Sequence, residues 1–125
     1  MDILLSIKPI YAQKIFNGEK KYEFRKKIPN KKIDKVYLYV SAPVKKIVGF
    51  FEVDEILKKP VFDLWNDTKS SAGIDYKTYS NYFKDYEVGI ALHIRKVTLF
   101  SEPVNPYKVI KDFNPPQSYS YFNLE

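Results

Sequence analysis

Three of the four charged side chains between Lys20 and Arg25 could act together on one ligand. Glu23 and Arg25 lie two positions apart, so on an extended chain their side chains point to the same face. Lys20 lies at the entrance to the same segment and could join them. A carboxylate between two cations keeps its charge and a fixed orientation. Such a cluster could hydrogen-bond a base edge while its cations contact phosphate.

The same spacing also fits a purely structural role for this cluster. Glu23 and Arg25 could form an ion pair inside the fold or at its rim. Ion pairs at protein surfaces are common and contribute little to stability. The spacing taken alone therefore favours the structural interpretation over ligand binding.

Composition excludes several kinds of site and favours one class of partner. The chain has no cysteine, which rules out disulfides, thiol catalysis and cysteine-based metal sites. His93 is the only histidine, so a histidine-rich metal site is impossible, and we expect neither a metal nor another cofactor. Lys and Arg number 21 against 15 Asp and Glu, a net charge of +6. A positive balance favours polyanionic partners such as nucleic acid.

The length and the first residues predict a single cytoplasmic domain spanning residues 1–125. A chain of this size can bury a hydrophobic core without disulfide or metal support. The apolar run from Ile3 to Leu5 is too short for a signal peptide, and no basic region precedes it. No stretch approaches the roughly 18 apolar residues of a membrane span. We therefore expect no membrane partner.

Periodicity and turn residues predict the elements that position the charged cluster. A helix should begin near Pro9 and end at Asn17-Gly18, and a second should carry Tyr76, Tyr79 and Phe83 on one face. Residues 60–65 could form a short helix, and Gly49 could allow a bulge. Five strands are predicted: Ile3 to Ile7, Lys20 to Arg25, Val36 to Val40, Ile47 to Leu57 and Val88 to Phe100.

The predicted order is β-α-β-β-β-α-β, followed by an irregular, proline-containing tail. Several long strands follow one another with few helices between them. This pattern indicates an α+β fold with a small, mostly antiparallel β-barrel and peripheral helices. A doubly wound parallel sheet would require more alternation of strands and helices.

The segment from Gly18 to Arg25 has the pattern G-x-K-x-x-E-x-R and follows a predicted strand and helix. This pattern resembles the signature of the ASCH domain family, a PUA-like fold associated with RNA. Three further segments agree with the resemblance: Leu5 to Pro9, Gly49 to Val53 and Pro115 to Tyr119. The resemblance extends over nearly the whole chain and implies a PUA-like barrel.

The resemblance also implies where a ligand would bind, because the family's proposed pocket is lined by the motif positions. Tyr22 is a candidate for base stacking, since bases stack on aromatic faces. The other ligand-binding candidates are Lys8, Lys20, Glu23, Arg25, Ser41, Gln117 and Ser118. The first hypothesis is therefore an RNA- or nucleotide-binding module, with a possible regulatory role in RNA metabolism or transcription. RNA, DNA, a free nucleotide and a modified base would all suit such a cleft.

A second hypothesis is an amidohydrolase acting on acylated nucleosides, as some family members are. In those enzymes the position of Glu23 resembles a threonine nucleophile beside the motif lysine. Glutamate could act as a general base toward water but cannot replace an activated hydroxyl. Under this hypothesis Lys20 and Glu23 would be the catalytic acid/base pair, and Asp75 is the nearest carboxylate to the downstream acid of the hydrolases.

Two other activities are associated with the family. Ribonuclease activity has been proposed within it, but the sequence has no histidine pair or metal cluster to support cleavage. A third hypothesis is a regulator that binds a protein partner, because such domains are also linked to transcriptional coactivation.

Two residue groups outside the motif have both structural and functional interpretations. The lysines after the motif could form a solvated loop or a phosphate-contacting patch, and the two are nearly equally favoured. They are Lys26, Lys27, Lys31, Lys32 and Lys35. The aromatic residues from Tyr76 to Phe83 fit core and rim packing better than a stacking platform. His93 is interpreted as a structural histidine.

Overall fold

One six-stranded sheet is the centre of the structure, a computed structural model in which residues 1–124 are described. Its strands are β1 Ile3–Ile7, β2 Tyr22–Arg25, β3 Lys35–Val40, β4 Lys46–Pro60, β5 Val88–Val104 and β6 Ser120–Tyr121. They lie in the order β2-β5-β4-β3-β1-β6. β1 and β3 pair in parallel, and the other neighbours are antiparallel. The sheet curls into a half-barrel, which confirms the predicted fold class.

The helices lie around this sheet. They are α1 Pro9–Phe16, α2 Val61–Thr68, α3 Tyr76–Tyr82 and α4 Pro106–Val109, with a 3-10 turn at Lys69–Ser71. α1 ends at Phe16, Asn17 is its C-cap as the Asn17-Gly18 signal predicts, and Gly18 follows with a φ of +87°. None of the helices in residues 1–124 is long and apolar enough to cross a membrane.

The structure corrects the predicted element order in two places. Two helices, α2 and α3, separate the long strands β4 and β5, where the predicted order counts only one; the short helix considered at residues 60–65 is present as α2. α3 starts separately because the Asp75 side chain caps it, accepting a hydrogen bond from the Thr78 amide at 2.8 Å. The tail is also more regular than predicted, because Asn105 caps α4 and β6 pairs with β1.

The long strands run further than predicted, while β2 is shorter and begins at Tyr22. β4 and β5 pair along most of their length, so each supports the other beyond its apolar run. The predicted irregularity at Gly49 is confirmed by a register shift between Ile47 and Gly49. A Cβ at Gly49 would lie 2.1 Å from the Thr98 carbonyl oxygen, so only glycine lets the two backbones approach this closely.

One of the three hydrophobic clusters found among residues 1–124 positions the charged motif. In it, Phe24 of β2 packs edge-on against Tyr79 of α3 and against Phe83, the residue that caps the end of α3, with ring centroids 5.1 and 6.3 Å apart. Tyr79 and Phe83 are almost fully buried, as the core interpretation of this aromatic stripe expects. Since Phe24 points into this cluster, its neighbours Glu23 and Arg25 face the other side of β2.

Candidate functional site

Lys20 is a buried cation, with only 3% of its surface exposed. Its Nζ donates a hydrogen bond to the Ala72 carbonyl at 2.9 Å and lies 4.9 Å from the centroid of the Phe24 ring. Burial lowers the pKa of Lys20 below its usual value, and Arg25 and Lys14 add to this, while Glu23 opposes it. The Lys20 ammonium therefore releases its proton more readily than a surface lysine.

The segment after α2 holds Lys20 in place. The Lys21 amide donates to the Ser71 carbonyl at 2.9 Å, and the Lys14 ammonium donates to the Gly73 carbonyl at 3.2 Å. Gly73 adopts a φ of +71°, and a Cβ there would lie 2.4 Å from the Cβ of Lys20. Both the backbone conformation and the close approach require glycine at this position.

Glu23 divides its two carboxylate oxygens between two cations. Arg25 donates to Oε2 through Nε at 2.9 Å and through Nη2 at 2.7 Å. Oε1 lies 3.9 Å from the Nζ of Lys20. The Glu23 side chain is only 7% exposed, so this cluster is largely shielded from solvent. The structural ion pair predicted as one alternative is therefore present, and it is part of a three-residue cluster.

Arg25 also joins β2 to β1 and to the C-terminal tail. Its Nη2 donates to the Ser6 carbonyl at 2.8 Å, and its Nη1 lies 3.5 Å from the Ser118 carbonyl. The Ser6 hydroxyl in turn donates to the Pro116 carbonyl at 2.8 Å. β1 and β2 are not neighbours in the sheet, so Arg25 spans the gap where the curled sheet stays open.

A cavity of about 460 Å³ opens over this cluster. That volume lies within the range of sites that enclose a small molecule. A larger and more open hollow of about 690 Å³ lies beside Met1 and Tyr121, but it contains none of the motif side chains. The smaller cavity is lined by Ser6, Ile7, Lys8, Tyr11, Lys20, Glu23, Phe24, Arg25, Ile74, Thr78, Asn81 and Tyr82.

The structure brings together most of the charged candidates from the sequence. Lys20, Glu23 and Arg25 form the cluster, and Lys8 lies exposed on the cavity lining. Ser118 reaches the cluster through its backbone carbonyl.

The remaining candidates lie outside the cavity lining. The Tyr22 ring stacks on His93 at 4.9 Å, and His93 also contacts Asp54 at 3.0 Å. Ser41 uses its amide to bond the Ile7 carbonyl, and Gln117 is exposed. Binding roles for these residues stay predictions.

Eight cavity residues were not among the predicted candidates, and four of them carry polar side chains on the helices around the sheet: Tyr11 of α1 and Thr78, Asn81 and Tyr82 of α3. Burial raises the pKa of Tyr82, which also lies within the field of Arg25 and Glu23. Thr78 and Tyr82 are four residues apart and so lie on one face of α3, next to the face that buries Tyr79. This spacing is the sequence signal that could have identified α3 as a wall of the cavity.

Only part of the lysine-rich loop adjoins the cavity. Lys26 stands over the Tyr82 ring, with its Nζ 4.6 Å from the centroid. Lys31 and Lys35 instead stand over Tyr121 and Phe50, which do not line the cavity. Lys26 is therefore the member of this loop best placed to meet a ligand bound over the cluster.

The fold and its motif have counterparts among known proteins. The model of the ASCH domain matches residues 5–98, about three quarters of the chain. This chain belongs to the ASCH domain family. Its ASCH domain is 28% identical to the ASCH domain-containing ribonuclease of Zymomonas mobilis, over 99% of this chain and 86% of that protein. The crystal structure of ASCH from Zymomonas mobilis superposes with a TM-score of 0.90 at 27% identity, covering 98% of this chain and 87% of that one.

Parts of two larger proteins are also similar to this ASCH domain. The ATP synthase subunit alpha of Ureaplasma parvum is 32% identical over 95% of this chain, but the match covers only 15% of that subunit. The large ribosomal subunit protein uL22 of the same organism is 28% identical over 96% of this chain, covering 38% of uL22. In both proteins the matching region is a minor part of the polypeptide.

Proposed function

We propose that this ASCH domain binds RNA, with one nucleotide held in the cavity over Lys20, Glu23 and Arg25. The observation that carries the proposal is the buried, hydrogen-bonded cluster that forms the floor of a cavity of nucleotide size. The similarity over nearly the whole chain to a protein described as a ribonuclease supports RNA as the class of ligand.

Each part of the cavity has a chemical role in this proposal. The Glu23 carboxylate accepts hydrogen bonds from the amino group of a base, because its oxygens are fixed by the two cations. The exposed Lys8 contacts a phosphate at the edge of the cavity. Tyr11 and Tyr82 provide apolar surface for the base. A regulatory role in RNA metabolism or transcription would follow from such binding and stays a prediction.

Cleavage of the bound RNA is a second candidate function. The ribonuclease description of the similar Zymomonas protein favours it, and so does the burial of Lys20, which lowers the pKa of this lysine. A neutral Lys20 amine would accept the proton of a ribose 2′-hydroxyl as its oxygen bonds to the adjacent phosphorus, which forms a 2′,3′-cyclic phosphate. The bond from phosphorus to the 5′-oxygen breaks, and this oxygen leaves as a hydroxyl after taking a proton from water. Binding without cleavage remains the primary proposal because it requires only the geometry of the cluster.

The amidohydrolase alternative has less support from the site. Asp75, the carboxylate nearest to the expected downstream acid, caps α3 through the Thr78 amide. Lys20 and Glu23 lie close enough to act as an acid/base pair, with Nζ and Oε1 3.9 Å apart. Turnover of an acylated cytidine is therefore included as a separate outcome of the test.

A salt-titrated fluorescence anisotropy assay with single-stranded RNA, duplex RNA and single-stranded DNA tests the proposal. The wild type is compared with Lys20→Ala, Glu23→Gln and the charge-matched control Lys58→Ala, whose side chain is exposed on β4. We expect RNA affinity that falls with salt and is lost in the two cluster variants but kept in the control. Product analysis on the same samples detects RNA cleavage, and a parallel incubation of the same proteins with an acylated cytidine detects deacylation. Absence of wild-type binding at low salt, or an equal loss in Lys58→Ala, would contradict the proposal.

A further inference from the structure

An exposed aromatic surface continues outward from one wall of the cavity. Tyr82 lines the cavity, and the Nζ of Lys26 lies 4.6 Å from the centroid of its ring. The same Nζ lies 5.2 Å from the centroid of the Tyr86 ring, and 47% of Tyr86 is exposed. We call Lys26 and Tyr86 together the aromatic shelf.

The local backbone fixes the position of the shelf. The chain turns sharply after α3, and the Tyr86 amide donates to the Phe83 carbonyl at 2.9 Å. Phe83 is only 2% exposed, which anchors this turn in the core. Asp85 adopts a φ of +70°, a conformation in which aspartate is enriched among non-glycine residues. Tyr86 is therefore presented to solvent from a well-anchored turn.

Lys26 connects the shelf to the charged cluster. It directly follows Arg25, so the cation over Tyr86 and the cation bound to Glu23 are neighbours along the chain. Asp85 and Glu87 flank Tyr86 in the sequence and would repel a phosphate. The positive charge available to a phosphate at this place is therefore that of Lys26.

We infer that the shelf is a second subsite, which takes the nucleotide next to the one in the cavity of a single-stranded RNA. This inference rests on the proposed function. The base of the second nucleotide stacks on Tyr86, and the phosphate that links the two nucleotides contacts Lys26. Proteins that bind single strands combine stacking aromatic rings with cations along the backbone in this manner. A duplex cannot use the shelf in this way, because its bases are already stacked on one another.

The inference predicts that affinity depends on RNA length. We expect the best-bound dinucleotide to bind about tenfold more tightly than its mononucleotide, because stacking of one base on an aromatic ring is worth about that much. Isothermal titration calorimetry with the four ribonucleoside monophosphates and the four matching homodinucleotides measures this difference.

Variants of the shelf test its assignment. We expect Tyr86→Ala to remove the tenfold gain without changing mononucleotide affinity, and Tyr86→Phe to retain the gain. Tyr121→Ala is the matched control, since Tyr121 is 58% exposed and also lies under a lysine, with the Lys31 Nζ 5.8 Å from its centroid. If Tyr86→Ala does not fold, Lys26→Gln provides the test, because it should reduce the salt dependence of dinucleotide affinity.

Two kinds of result overturn the inference and leave the proposed function standing. One is wild-type protein that binds mononucleotide and dinucleotide equally well. The other is a Tyr86→Ala variant that keeps the gain or loses mononucleotide binding as well, since either result removes Tyr86 from a second subsite. Absence of wild-type binding to both lengths of RNA overturns the proposed function together with the inference.

Discussion

Replacing Gly73 by alanine should displace Lys20 and thereby test how the site is built. Gly73 packs directly on this lysine, and a Cβ there would lie 2.4 Å from its Cβ and 2.6 Å from its Cγ. Gly18 provides a matched control, because it also has a positive φ, +87°, but nothing lies within 4 Å of its added Cβ. Gly18→Ala therefore isolates the backbone cost, and Gly73→Ala adds the collision.

The expected magnitudes follow from these two contributions. An alanine in the left-handed region costs about 1–2 kcal/mol. Forcing a methyl group into a packed site costs about 1–3 kcal/mol more. We therefore expect Gly18→Ala to lower the free energy of unfolding by about 1–2 kcal/mol, and Gly73→Ala to lower it by about 2–5 kcal/mol.

Urea unfolding and RNA binding, measured on the same two variants, test this prediction. Gly73→Ala should weaken RNA binding as well as the fold, because the buried ammonium of Lys20 moves with its side chain. Gly18→Ala should keep wild-type RNA affinity. Equal destabilisation of the two variants, together with equal RNA affinity, would show that packing against Gly73 does not fix the position of Lys20.

Three further variants probe the titration and the hydrogen bonds of the fold. Because the pKa of Lys20 is lowered by folding, the folded protein releases this proton at a lower pH than the unfolded chain does. The free energy of unfolding of the wild type, relative to Lys20→Met, should therefore rise with pH from that lowered pKa up to about pH 10.5. Urea unfolding measured across this pH range should show no such rise if the lysine is not buried. Tyr79, whose pKa is raised to about 12 mainly by burial, contributes stability below pH 10 that is lost as the pH rises toward 12. The Tyr79 hydroxyl donates to the Val61 carbonyl at 2.6 Å, so Tyr79→Phe should lower the free energy of unfolding by about 1–2 kcal/mol at neutral pH. The variant should also lose less stability than the wild type between about pH 10 and 12. An equal loss of stability in both proteins over this range would exclude Tyr79 as its cause. Arg25→Lys should lower the free energy of unfolding, measured by heat or urea, by about 1–3 kcal/mol. The reason is that a lysine ammonium cannot donate to both Glu23 and the Ser6 carbonyl as the guanidinium does. A variant as stable as the wild type would contradict the bridging role of Arg25.

Much of the fold was predictable because its signals are local. The run Val36 to Val40 consists of two β-branched valines, two tyrosines and a leucine, so it strongly favours a strand. Asn17-Gly18 ends α1 because the left-handed conformation at Gly18 stops the helix. β6 was missed because its two residues carry no pattern of their own and pair with β1 only after the sheet has formed.

The site residues, like the elements of the fold, were predictable where the sequence signal is local and were missed where it depends on distant packing. Alternation along β2 correctly places Glu23 and Arg25 on one face, and their proximity to Lys20 follows from the chain itself. The contribution of Tyr82 was not predicted, since it depends on α3 packing over β2 through Phe24. Tyr22 was a candidate for base stacking because of its place in the motif. In the structure its ring instead stacks on His93 of the neighbouring strand β5.

The most direct test of the central claim is a map of backbone amide chemical shifts, measured by NMR as single-stranded RNA is added. The proposal predicts that the largest shifts fall on the cavity residues, at Lys20, Glu23 and Tyr82. Residues beside the larger hollow, such as Tyr121, should change little. Shifts concentrated around Tyr121, with the cluster unaffected, would contradict RNA binding at the motif.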